Sequence, residues 1–374
     1  MPIQTNLALI VAKPLSRTIE DRGVPIPGPE EILVRVEAAG LNPVDARVGN
    51  IDIPMWPDMP TVPGAEASGV IVAIGNEVKG FNVGDRVYIS FLILRKYIRL
   101  SHISFCSAFG TAGQKVDISS YQQYSLAHST IVTKLPPNIS MEEGASIPVG
   151  LFTSYHALYS QPPYGGGLVS AMSPGGRGKY AGQPIVILGG AGATGHFALQ
   201  LARLSGFSPI ITTASLKHES FLKSLGATHV INRSLADTEV VKAVSALAPV
   251  LSIVFDTIST KETVTLGFEI LKESKKYSKG DKTLLQIIPT SIPEAESEGV
   301  NIYMGWATSA WPQNNALSRE LYSQLEGLLA DGTIKPMKIE IVHGGLNALE
   351  EAFKTFDKVS GVKRVVLPQE TCVV

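Results

Sequence analysis

The sequence predicts an α/β protein of two domains, with a doubly wound parallel sheet set into a mostly β domain, and three observations predict it. Residues 185–207, IVILGGAGATGHFALQLARLSGF, read as a buried strand, a glycine turn and an amphipathic helix in direct succession. After that stretch strands and helices go on alternating, which implies parallel pairing. Before it, short strands are punctuated by Gly and Pro, as in a compact β domain. A chain of 374 residues has ample material for two cores.

In chain order, residues 31–37 set Ile32, Val34 and Val36 against Leu33 and Arg35, the period of a strand. Residues 69–74 form a second apolar strand, and Gly75-Asn76 and Gly84-Asp85 mark turns. Residues 87–105 are apolar but interrupted by Arg95, Lys96 and Arg99, which argues against a membrane span. The overlapping stretch at 89–109 is expected to be an insertion without function or an error in the gene model. Residues 160–182, SQPPYGGGLVSAMSPGGRGKYAG, are rich in Gly, Pro and Ser and predict a mobile loop near the domain junction, either a cap over the substrate or a disordered insert.

The stretch at 185–207 carries the chemistry. Ile185, Val186, Ile187 and Leu188 have the composition of a strand buried on both faces. Gly190, Gly192 and Gly195 then fall at the spacing GxGxxG, and Phe197, Leu201 and Leu204 recur with the helical period. In a dinucleotide site Gly190 would make the tight turn, Gly192 would admit the pyrophosphate and Gly195 would let helix pack on strand. The helix amides and dipole would face the phosphates. The bland alternative is a glycine-rich turn with no ligand.

A second strand at 209–213 ends in Ala214, Ser215, Leu216, Lys217 and His218. An NAD site would place Asp or Glu there to bind the ribose hydroxyls. Here a hydroxyl and a cation, Ser215 and Lys217, suit a 2′-phosphate instead, so NADP is the cofactor expected. Lys217 as a solvated helix start is the alternative.

Further strands are read at 229–232, at 251–255 ending in Asp256-Thr257, at 283–288 and at 300–303. A long helix at 318–329, a strand at 338–342, a helix through Phe356 and a last strand at 364–367 look like a return to the first domain. The domains expected are therefore 1–152 completed by 319–374, and 153–318.

Charge excludes some partners. With 32 basic against 33 acidic residues and no basic run, nothing recommends nucleic acid. Cys106 and Cys372 are the only cysteines, so neither a disulfide framework nor a CxxC metal site is available. The amino-terminal MPIQTNLALIVAKP lacks the pattern of a signal peptide. A soluble, cytoplasmic protein with no membrane partner is expected.

Five strings occur in order: GLNPVDARVG (40–49), VPGAEASGVIVAIGNEVKGFNVGDRVY (62–88), GASIPVGLFTSYHAL (144–158), the glycine loop and SGVKRVV (360–366). Together they resemble the medium-chain dehydrogenase/reductase superfamily, over nearly the whole chain. Within it the chain is most similar to fungal zinc-independent members, including stand-alone enoyl reductases that assist polyketide synthases. The resemblance implies a GroES-like domain interrupted by a Rossmann domain, with the active site in the cleft between them. It also implies a small-molecule substrate, free or presented by a polyketide synthase, and a monomer or a homodimer paired near residues 300–304.

Zinc-dependent members have Cys in the turn matched by Leu41-Asn42-Pro43, His in the motif matched by Gly64-Ala65-Glu66, and Cys at the position of Val149. Asn42, Ala65 and Val149 offer an amide, a methyl and an isopropyl group, none of which holds zinc, so no metal is expected. Without the metal, reduction of an activated C=C bond is favoured over alcohol oxidation, with a quinone or carbonyl reductase, an alcohol dehydrogenase or a non-catalytic nucleotide-binding protein as alternatives.

By resemblance Asn42, Asp45, Arg47 and Thr153 border the nicotinamide as catalytic candidates. Ala193, Thr194, Asp256, Pro289 and Lys363 join the glycines, Ser215 and Lys217 as cofactor contacts. Asn42 and Asp45 are also ordinary turn residues, Arg47 a surface charge and Thr153 a helix residue. Tyr155 and His156 are expected in the core rather than as acids.

Overall fold

The computed structural model describes residues 5–12, 16–47, 60–90, 117–274, 282–305 and 315–372. The chain divides into two compact units, Met1–Val149 with Thr308–Val374, and Gly150–Ala307. Sequence placed the joints at 152/153 and 318/319; the observed joints lie at 149/150 and 307/308. The stretch expected to be an insertion, 89–109, lies outside the described residues from 91 onward, as does Cys106.

The first unit opens with the antiparallel pair β1 (Leu7–Ala12) and β2 (Ser16–Asp21). Its main sheet is laid down by β3 (Glu31–Gly40), β4 (Glu66–Ile74), β5 (Arg86–Ser90), β6 (Tyr124–His128) and β7 (Val132–Lys134). Ile32, Val34 and Val36, the apolar set read from sequence, are wholly buried with Ile71, Val87 and Ile89 in one core. The short helix α1 (Met141–Gly144) starts in a capping box, Glu143 N–H donating to Ser140 Oγ at 3.1 Å and Ser140 N–H to Glu143 Oε2 at 2.9 Å.

Helix α2 (Pro148–Tyr159) leads into the second unit. There β8 (Ile185–Leu188), α3 (Ala193–Ser205), β9 (Ile210–Ala214), α4 (Glu219–Leu225), β10 (His229–Asn232), α5 (Asp237–Leu247), β11 (Ile253–Asp256), α6 (Lys261–Glu273) and β12 (Lys282–Gln286) alternate as expected, and β13 (Val300–Met304) follows β12 without a helix between. The sheet is parallel throughout, in the order β10-β9-β8-β11-β12-β13. The chain leaves β8 to one side for β9 and β10 and then returns to the other side for β11, so the order reverses at β8. Ligands of open parallel sheets bind in the crevice at the carboxyl ends of such a pair.

Residues 160–182 correct the sequence expectation of a mobile or disordered insert. Ser170, Ala171 and Met172 are buried, and Ser170 Oγ lies 2.6 Å from Tyr155 Oη. Gly166 and Leu168 N–H donate to Ala157 and Leu158 carbonyls at the end of α2, and Tyr180 stacks on Phe207 with centroids 4.8 Å apart. Gly and Pro made the segment look unstructured; its aromatic residues and the open carbonyls of α2 anchor it.

The return to the first unit is made by α7 (Asn315–Ala330), β14 (Ile339–Val342), α8 (Leu349–Lys354) and β15 (Lys363–Val366). Strand β15 pairs antiparallel with β3 and parallel with β14, extending the main sheet to the order β14-β15-β3-β4-β5-β7. The last part of the chain is thus built into the sheet started by the first part. No helix among the described residues is long and apolar enough to cross a membrane.

Candidate functional site

In the second unit the glycines after β8 divide their work differently from the sequence expectation. The tight turn belongs to Gly189, with φ +85°, and not to Gly190. Gly190 instead passes against β9, where a Cβ would stand 2.3 Å from Thr212 Oγ1. Gly195 packs α3 on the turn, a Cβ there falling 2.3 Å from Gly189 O. Gly192 is the N-cap of α3 and is unlike the others: an added Cβ would meet only Gly189 O, at 3.5 Å. Among the described residues no side chain caps the amides of that first turn, at Ala193, Thr194 and Gly195. Uncapped amides at the positive end of a 13-residue helix, with room left at the Cβ position of Gly192, suit a pyrophosphate.

Helix α2 is fastened to this cradle. Ser154 Oγ is within 2.6 Å of Thr194 O and 2.8 Å of Gly150 O, and Gly150 lies so near α3 that a Cβ would be 2.9 Å from Ala193 O. Between 150 and 160, Thr153 alone escapes full burial, and its hydroxyl has no partner among the described residues. Tyr155 and His156 are wholly buried, as sequence expected. Burial pushes the His156 imidazole down to about 4, which leaves it neutral near pH 7.

At the end of β9, Ala214 is buried while Ser215 is half-buried and Lys217 exposed. Sequence reasoning missed Arg233. The parallel register sets Asn232 beside Ala214, and Arg233 N–H donates to Ala214 O at 3.0 Å, so a second exposed cation follows the neighbouring strand. Neither Lys217 nor Arg233 is paired with a carboxylate among the described residues, and Glu219 is taken by Lys223 at 2.8 Å. The signal in sequence was the basic residue one position past the third strand, legible only once the register is known.

Asp256 ends β11 with both carboxylate oxygens turned to its own loop. Oδ1 accepts from Ile258 N–H at 2.9 Å and Ser259 N–H at 3.1 Å, and Oδ2 from Thr263 Oγ1 at 2.7 Å. Burial raises its pKa against these bonds. Asp256, expected as a cofactor contact, thus holds the loop that follows β11. Thr257 Oγ1 donates to Leu188 O at 2.7 Å, joining β11 to β8 where the strand order reverses. Ser259 holds φ +60°, and its Oγ accepts Ile287 N–H at 2.8 Å from the loop after β12. Pro289 sits half-buried in that loop, which Gln286 closes by bonding Thr290 through both amide groups.

Within the first unit a separate polar cluster gathers Asn42, Asp45 and Lys363 with Glu66 and Tyr121, which sequence did not single out as partners. Lys363 Nζ lies 2.5 Å from Glu66 Oε1 and 2.7 Å from Asn42 Oδ1. Asn42 Nδ2 donates to Glu66 Oε1 at 2.9 Å, and Val149 N–H to Glu66 Oε2 at 2.8 Å. Asp45 Oδ2 accepts Asn42 N–H at 2.8 Å and Tyr121 Oη at 2.7 Å. Burial pushes Asp45 up to about 6, against the Tyr121 and Asn42 bonds and the nearby Lys363 charge. Arg17 braces the same turn by donating to Ala46 O at 3.1 Å. Arg47 is exposed and unpartnered among the described residues. Lys363, expected as a cofactor contact, directs its ammonium to Glu66 and Asn42.

These donors do not fit a zinc ion. Ala65 and Val149 supply no side-chain donor, Asn42 is bonded through both amide groups, an ammonium already stands against Glu66, and Asp45 is taken by Asn42 N–H and Tyr121. Among the described residues, no group of three or more His, Cys, Asp or Glu side chains is placed to hold a metal.

Comparison with known proteins agrees with this architecture. Residues 28–137 match the alcohol dehydrogenase GroES-like domain family and residues 193–277 the zinc-binding dehydrogenase family. The trans-enoyl reductase tazE of Aspergillus terreus is 33% identical over 259 residues, 68% of this chain and 77% of that protein. The trans-enoyl reductase tndF of Aspergillus flavipes is 29% identical over 350 residues, 92% of this chain and 93% of its own. Among solved structures, human synaptic vesicle membrane protein VAT-1 homolog-like protein superposes with TM-score 0.71 at 21% identity, covering 98% of each chain. The CurK enoyl reductase does so with TM-score 0.68 at 20% identity, over 97% of this chain and 98% of that one.

Proposed function

The chain belongs to the medium-chain dehydrogenase/reductase superfamily, a family of oxidoreductases that bind a nicotinamide dinucleotide, and from that premise we propose that it is a zinc-independent, NADPH-dependent reductase of an activated C=C bond. The substrate proposed is an enoyl or enone small molecule of fungal secondary metabolism, presented by a polyketide synthase. Relatives named as trans-enoyl reductases support the reaction class. The observation that carries the zinc-free chemistry is the Lys363 ammonium against Glu66, where a metal site would need further anionic or imidazole donors.

The residues of the second unit suit the cofactor as follows. The amides of Ala193, Thr194 and Gly195 take the pyrophosphate, and Gly192 leaves room for it. Ser215, Lys217 and Arg233 take the 2′-phosphate, whose charge of about −2 both cations complement. Bound there, the reduced nicotinamide supplies the hydride. Thr153, whose hydroxyl has no partner among the described residues, offers a hydrogen bond at the cradle end of α2. Conjugate reduction then needs no Lewis acid, because a hydrogen bond to the developing enolate oxygen and a proton at the α-carbon complete it.

In the first unit Asn42 and Asp45 hold the turn that presents Arg47, whose guanidinium remains available to an anionic group of the substrate. Tyr155 and His156 take no part, being sealed in the core.

Oxidation of NADPH followed with a panel of enoyl thioesters, enones, quinones and aldehydes tests the proposal. Turnover is expected with the activated alkenes, unaffected by a chelator. Turnover confined to quinones or aldehydes would overturn the reaction class, and loss of activity on zinc removal would overturn the metal-free chemistry.

A further inference from the structure

We propose that the Lys363 ammonium is a tethered cation that does for this chain what a metal ion does at the corresponding place in zinc-dependent relatives: it neutralises Glu66, fixes the amide of Asn42 and ties the ends of separate elements together. The inference rests on the zinc-free part of the proposed function and not on the substrate.

Four stretches distant in sequence converge on this one charge. Asn42 follows β3, Glu66 begins β4, Val149 lies in the first turn of α2 and Lys363 begins β15, 321 residues from Asn42. Glu66 is wholly buried, and Lys363 and Asn42 are only 4% and 3% exposed. Inside, charge must balance almost exactly locally. The Lys363 ammonium directly meets the Glu66 carboxylate, and the buried Asp45 carboxyl is close enough to feel both charges.

The hydrogen bonds complete the match. Glu66 Oε1 takes Lys363 and Asn42, Oε2 takes the Val149 amide, and Asn42 Oδ1 takes the ammonium. An isolated asparagine amide has two nearly equivalent orientations. Here a cation on one side and an anion on the other leave only one, with Oδ1 toward Lys363 and Nδ2 toward Glu66. Asn42 N–H in turn caps Asp45, so the orientation is passed to the turn that carries Arg47. A buried ion pair adds little stability over an apolar pair of the same volume, which makes positioning its natural role. Lys363 is a positioning residue.

The test uses the full-length protein. Lys363→Ala removes the three-carbon stem and the ammonium, leaving a space the size of n-propylammonium beside Glu66. Its melting temperature is expected to fall on the order of 5 °C or more. Rising n-propylammonium should restore both melting temperature and kcat with one half-saturating concentration, while equal 1-propanol or sodium chloride should not. Should Lys363→Ala fail to fold, the pair Lys363→Met with Glu66→Gln, which removes both members of the ion pair, should fold and melt above Lys363→Met alone.

A Lys363→Ala variant that melts like the native protein would overturn the proposal. So would equal recovery with 1-propanol, or a double variant no better than Lys363→Met. Failure of the alkene panel with intact propylammonium rescue would sink the reaction class and leave this inference standing; rescue failing in an active reductase would do the reverse.

Discussion

Gly192→Val separates a cradle glycine from a packing glycine. The backbone at Gly192, φ −77° and ψ 166°, lies in a region open to any residue, and its Cβ would meet only Gly189 O, at 3.5 Å. The variant should therefore melt within about 2 °C of the native protein, well under the shift that a lost core contact produces in a chain this size. Its isopropyl group would occupy the space before the amides of α3. If two charge-assisted bonds to phosphate are lost, each about 1.5 to 3 kcal/mol, binding weakens by about 3 to 6 kcal/mol, roughly a hundredfold to ten-thousandfold in Kd. Gly195→Ala should behave oppositely, since its methyl would stand 2.3 Å from Gly189 O and 2.7 Å from Gly190 Cα and must disturb the fold itself. Calorimetric titration with NADPH, paired with melting curves taken without cofactor, distinguishes the two. A folded Gly192→Val protein that binds NADPH within threefold of native affinity would refute the cradle.

Three further outcomes are expected. Lys217→Ala and Arg233→Ala should each raise the Kd for NADPH about tenfold, on the order of 1 to 2 kcal/mol, and leave NADH unchanged; equal loss for both cofactors would remove the 2′-phosphate assignment. Asp45 holds its proton more tightly folded, at about 6, than at its ordinary value of 3.8, so its contribution to stability is full below about pH 4 and lost as pH rises through about 6. Asp45→Asn should remove that dependence, gaining up to about 3 kcal/mol relative to native between pH 4 and pH 7 in urea unfolding, and a pH-independent difference would contradict the burial account. Tyr155→Phe forfeits the bond to Ser170 Oγ and should cost about 1 kcal/mol of stability with turnover intact; a tenfold fall in kcat without unfolding would make Tyr155 the proton donor after all.

Local signals were legible in the sequence and non-local ones were not. Ile185 to Leu188, the glycines and the period of α3 lie within one short stretch, so strand, turn and helix could be read directly. Even there GGAGATG leaves open which glycine turns, because only the close pass of Gly190 against Thr212 fixes Gly189 as the residue with positive φ. Arg233 needed the pairing of Asn232 with Ala214, which no spacing rule states. Lys363 was visible as a cation in a recognisable string, yet its meeting with Glu66 and Asn42 depends on the last strand joining β3. The segment at 160–182 misled because composition reports backbone freedom and is silent about where Tyr180 stacks.

Ser259 shows how the crevice rim is made stiff. It is the one non-glycine residue with positive φ among those described, a conformation that glycine would adopt at less cost. Glycine would relieve the backbone but could not accept Ile287 N–H or donate to the Asp256 carbonyl. A single hydroxyl therefore acts as a rivet between the loops after β11 and β12, and any displacement of one is shared by the other. Both loops thus share one fastening, so replacing Ser259 would alter the anchorage of each at once.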